Sequence, residues 1–81
     1  MNRETKNTEW EFIHCEGDGY FERYYKGLRL VVAYEDKEPI TMYGYVDRPV
    51  DKCLLYYITI GANDPDWLKQ DLEKWVNQNE T

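Results

Sequence analysis

The chain reads as an α+β domain: an antiparallel sheet of four to five strands with one C-terminal amphipathic helix packed on one face. Three observations predict it. Aromatic and β-branched runs recur from Trp10 to Ile60 between breaks rich in glycine, proline and aspartate. One break, Lys26-Gly27, is two residues long with glycine second, the pattern of a tight hairpin turn. After Asn63-Asp64-Pro65 the apolar spacing changes from strand period to helix period.

Residues 1–8 are polar and without period and read as a mobile tail, leaving residues 9–81 as a single domain. A chain of 81 residues holds one core and no second domain. Trp10–His14 alternates apolar and polar as a half-buried strand does, and Glu16-Gly17-Asp18-Gly19 reads as the turn after it. Tyr20–Tyr25 and Leu28–Tyr34 flank the Lys26-Gly27 turn. Asp36-Lys37-Glu38-Pro39 punctuates before Ile40–Val46, and the loop 47–52 leads to Cys53–Ile60. That last run is the most apolar and reads as a central strand. The helix follows, with Asp64 as N-cap, Pro65 at its first position and Asp66 facing the positive end of its dipole. Its apolar arc holds Trp67, Leu68, Leu72, Trp75 and Val76. Asp71 sits inside or at the margin of that arc, with Arg23 or Lys74 as partner.

The hairpin turn sets a register in which Tyr25 opposes Leu28, Arg23 opposes Leu30 and Phe21 opposes Val32. One face is then Phe21, Arg23, Tyr25, Leu28, Leu30, Val32 and Tyr34, which should take the helix. The other carries Tyr20, Glu22, Tyr24, Arg29, Val31 and Ala33. An odd loop near residues 36–38 puts Ile40, Met42 and Val46 in the core and leaves Tyr43 and Tyr45 beside Tyr24 and Arg29. An even loop reverses this, and the pattern leaves both open.

Charge and chemistry narrow the function. Ten Lys+Arg against 16 Asp+Glu give a formal charge of −6, which argues against a nucleic-acid binder and against adsorption to anionic membrane. No apolar run is long enough to span a bilayer, and the N-terminus lacks a signal core, so the expected compartment is cytoplasmic. There the two cysteines, Cys15 and Cys53, are expected to be free thiols in buried or half-buried structural positions. A metal site built on His14, Cys15 and Cys53 lacks Cys-x-x-Cys or His-x-x-x-His spacing and needs a further ligand such as Glu16 or Asp18. On a strand His14 and Cys15 point to opposite faces, so they do not form a nucleophile pair. The chain has no serine. Gly17-Asp18-Gly19 lacks the lysine and hydroxyl of a phosphate loop. Glu9 and Glu11 share a strand face, but with so many acids such a pair arises by chance. No catalysis, metal or cofactor is expected.

What stands out is the aromatic content: eight tyrosines, three tryptophans and two phenylalanines. An uncovered face bearing Tyr20, Tyr24, Arg29, Tyr43 and Tyr45, with Glu9 and Glu11, is the expected partner-binding surface. Its expected ligand is a protein with a basic surface, since carboxylates can stand in for phosphates in a nucleic-acid channel. In size, charge and aromatic content the whole chain resembles phage-encoded inhibitors of host defence, anti-CRISPR proteins among them. No motif carries the likeness, so no residue role is transferred from it. What it implies is a small non-catalytic inhibitor. Two other readings compete: a single-stranded nucleic-acid binder that stacks bases on the tyrosines, and a homodimeric housekeeping subunit that buries the tyrosine face on itself.

Overall fold

A computed structural model describes residues 7–16, 18–35 and 41–79. Five strands are followed by one helix: β1 (Glu11–Cys15), β2 (Asp18–Tyr25), β3 (Leu28–Glu35), β4 (Thr41–Arg48), β5 (Cys53–Ile60) and α1 (Pro65–Asn79). The strands form a single antiparallel sheet in chain order, and α1 packs across β3 and β4. The α+β architecture expected from the periodicities is the one observed.

The β2–β3 hairpin turns on Lys26 and Gly27, whose φ angles of 53° and 81° are both left-handed. That is the primed-turn geometry that suits the right-handed twist of the flanking strands. Its register pairs Tyr25 with Leu28, Arg23 with Leu30 and Phe21 with Val32. Between β3 and β4 the pairing of Glu35 with Thr41 closes a five-residue, odd loop. Met42 and Val46 are therefore buried in the core and Tyr43 and Tyr45 lie on the opposite face. Ile40 falls outside the described residues.

The core lies between the sheet and α1. Leu68, Leu72 and Val76 of the helix are fully buried against Leu30, Val32, Met42 and Val46. Gly44 of β4 lies directly under Leu72, where a Cβ would come within 3.2 Å of a Leu72 methyl. The helix begins as expected: the Trp67 amide donates to Asp64 Oδ1 at 3.1 Å. Trp67 itself is exposed, one position outside the buried stripe.

Several expectations are corrected. The first turn is shorter than its glycines suggest: Cys15 pairs with Asp18 and His14 with Gly19, so Asp18 and Gly19 belong to β2. Gly19 is in the strand because the Phe12 ring occupies the place of its missing Cβ. Asn7 and Thr8, read as tail, are bonded to the hairpin. Thr8 exchanges hydrogen bonds with the Tyr24 backbone, and Asn7 accepts from the Lys26 amide. Residues 1–6 of that tail lie outside the described residues. Asp71 pairs with neither Arg23 nor Lys74 but accepts from Tyr56 Oη at 2.7 Å, and this bond to a carboxylate pushes the Tyr56 phenol up to about 12. Arg23 bridges instead to Glu73, which also accepts from the Trp10 indole at 2.8 Å.

The largest correction concerns β5. It stands at the end of the sheet, paired only with β4 among the described residues. The central strand is β3, which presents buried side chains on both faces.

Candidate functional site

The face turned away from α1 is built by alternation. Register places Glu11, Ile13 and Cys15 of β1 on it, then Tyr20, Glu22 and Tyr24 of β2 and Arg29, Val31 and Ala33 of β3. From β4 come Tyr43, Tyr45 and Asp47. β5 adds Leu54, Tyr57 and Thr59. Small residues on β3 between tyrosines on β2 and β4 leave a shallow groove of about 270 Å³. Val31 and Ala33 form its floor, Tyr20, Tyr43 and Tyr45 its walls, and Arg29 one end.

The tyrosines form a continuous row. Tyr43 stacks on Tyr45 at 6.3 Å between ring centres and on Tyr57 at 6.0 Å, and Arg29 caps Tyr45 at 5.9 Å. Such packing holds aromatic side chains in few rotamers, so little further freedom is lost when a partner covers them.

Beneath the row is a charged group that the sequence pattern did not reveal. Arg29 donates to Glu22 at 3.0 Å and to Asp47 at 3.4 Å. Both carboxylates are buried, 7% and 8% exposed. One cation thus stands between two acids, and Asp47 Oδ1 is buried without a hydrogen-bond partner. Burial pushes the Asp47 carboxyl above its ordinary value, and the long bond to Arg29 only partly offsets this. Asp47 and Glu22 read as surface charges in sequence. Only the pairing of Arg29 with Asp47 across β3 and β4 shows that they converge.

This shift fixes a sign. A carboxyl whose folded pKa exceeds its unfolded one makes the native state bind more protons, so its contribution to stability is full at low pH. That contribution is lost as pH rises from the ordinary aspartate range through the raised native value. Asp47→Asn is therefore expected to gain stability relative to wild type across that window, with a constant difference above it. Urea unfolding of both proteins at a series of pH values checks this, and a difference that shrinks as pH rises would contradict it.

The expected site residues divide into three groups. Tyr20, Tyr43 and Tyr45 sit half-buried on the face and form the groove. Tyr24 is on the same face but only 9% exposed, and supports the surface without presenting a ring. Arg29 is likewise held inward by its two acids. Glu9 is exposed just before β1, and Glu11 is exposed on β1, two strands from Arg29. The residues that pattern reading missed are Tyr57 and Leu54, 53% and 58% exposed. The run Cys-Leu-Leu-Tyr-Tyr-Ile-Thr-Ile is apolar on both parities, and the register shift beside Val46 and Asp47 moves its start, so alternation alone does not assign its faces.

Both cysteines are exposed, not structural as expected, and they occupy opposite edges of the sheet. Cys15 borders the groove, and Cys53 begins β5. Among the described residues no cluster of His, Cys, Asp or Glu is arranged to hold a metal ion. No described helix is long and apolar enough to cross a membrane.

No protein-family model, curated protein or solved structure matches this chain. The site's own geometry is what bears on function.

Proposed function

We propose that this chain is a non-catalytic protein-binding protein whose tyrosine face docks on a basic, nucleic-acid-handling partner and blocks it, in the manner of a small phage-encoded inhibitor. The observation that carries this reading is the uncovered row Tyr45–Tyr43–Tyr57 with exposed Leu54 beside it. A rigid aromatic patch rimmed by polar residues is what protein interfaces use as anchor. Charge supplies the kind of partner. The chain is −6 overall, and Glu9, Glu11, Glu16 and Asp18 are distributed along β1 and the start of β2, on that side of the sheet. Such a surface accelerates encounter with a cationic one.

The same geometry weighs against base stacking. Among the described strand residues of this face Arg29 is the only cation, and it is neutralised by Glu22 and Asp47. A single-strand binder needs a basic track along its stacking platform.

The test is capture from a cell lysate on the tagged full chain, with wild type compared with Tyr43→Ala/Tyr57→Ala. The expected result is a basic nucleic-acid-handling protein that elutes as salt rises and is retained at least tenfold less by the double variant. Equal retention by both proteins would remove the tyrosine row from the interface. Short oligonucleotides that quench the tyrosine emission at low salt would favour the nucleic-acid reading.

A further inference from the structure

We propose that β5 is a dimerisation edge, joining two copies of this chain through antiparallel β5–β5 pairing into one continuous ten-stranded sheet. The first argument is a mismatch between composition and position. Cys53–Ile60 has the makeup of an interior strand, eight residues with no charge and no proline, yet among the described residues it ends the sheet. Exposed edges of that kind are normally blunted with lysine, proline or brevity, because their free amides and carbonyls template pairing with another chain. The other edge shows those devices: β1 is five residues long and carries Glu11, with Glu9 and Glu16 flanking it.

Charge decides who the second chain is. Two copies that are each −6 repel, and the repulsion is least where neither contributes a charged side chain. β5 meets that condition. The acids Glu9, Glu11 and Glu16 lie on and beside the far edge strand, four strand spacings or about 19 Å away, and Asp18 begins the strand next to it. A basic partner would be drawn to those acids, whereas a second acidic copy is best accommodated at β5. A two-fold axis near the middle of the strand brings Tyr57 of one copy close to its counterpart. Leu54 and Tyr57, both exposed in the single chain, then gain apolar neighbours.

Sedimentation equilibrium of the full chain from micromolar to a few hundred micromolar tests this, with amide hydrogen exchange at both ends of the range. The expected result is a monomer–dimer equilibrium in which β5 amides gain protection and β1 amides do not. Tyr57→Lys and Thr59→Lys, at the two exposed positions of the strand's second half, should each weaken the dimer at least tenfold. Their circular dichroism and urea midpoints should stay near wild type. Tyr20→Ala, on the tyrosine face but far from β5, should dimerise normally. A monomer throughout the range, oligomers larger than a dimer, or a dimer that survives both lysine variants would overturn the proposal. A dimer abolished by Tyr20→Ala would instead place the contact on the tyrosine face.

Discussion

Arg29→Met is expected to destabilise the protein by about 3 kcal/mol, the lower end of the range for a broken buried ion pair. The lower end applies because the guanidinium side chain keeps 23% of its surface in water. Removing the cation takes away the guanidinium that Glu22 and Asp47 share and leaves two buried carboxylates facing each other. Their mutual repulsion and desolvation, not the loss of two hydrogen bonds, supply most of the effect. Adding Glu22→Gln and Asp47→Asn to the same chain should recover most of the loss. Urea unfolding of the single and triple variants makes the comparison. A loss below about 1 kcal/mol for Arg29→Met would mean that the group behaves as an ordinary surface ion pair.

Leu72→Ala is the second large effect, about 2–5 kcal/mol, since a fully buried leucine at the helix–sheet contact leaves a cavity when truncated. Gly44→Ala should also destabilise, by about 1–3 kcal/mol, through overpacking. Its new Cβ meets a Leu72 methyl at 3.2 Å, and a leucine locked in the core has little room to give. The two changes are coupled in a way that distinguishes this contact from general weakening. In the Leu72→Ala background the Gly44 methyl enters the vacated space, so the double variant should be more stable than the sum of the single losses. Strict additivity in a double-mutant cycle would show that the helix does not rest on Gly44.

Local signals carried much of the fold. The Lys26-Gly27 turn was legible because a two-residue hairpin needs left-handed backbone and glycine supplies it most readily. Asp64-Pro65 marked the helix start because a cap and a missing amide are chemical requirements of that position. Side-chain alternation then assigned Leu30 and Val32 to the core and Tyr20 to the opposite face. β5 was misplaced because an apolar strand looks the same in sequence whether one or two neighbours pair with it, and pairing is decided by distant residues. Glu22 and Asp47 were missed for a related reason: isolated acids read as solvated until the register brings a shared arginine to them. Tyr57 went unassigned because the register shift next to Asp47 breaks the parity that placed Tyr43 and Tyr45.

The strand order has a kinetic meaning as well. Every pair of neighbouring strands is also consecutive along the chain, so each hairpin closes a short loop, and topologies dominated by such local pairing fold fast for a sheet protein. The exception is α1, which is made after all five strands and reaches back over β3 and β4. During synthesis the apolar side chains of Leu30, Val32, Met42 and Val46 therefore emerge, and can pair as a meander, before their cover exists. The nascent sheet passes through an interval in which that face is wet, and arrival of Leu68, Leu72 and Val76 ends it.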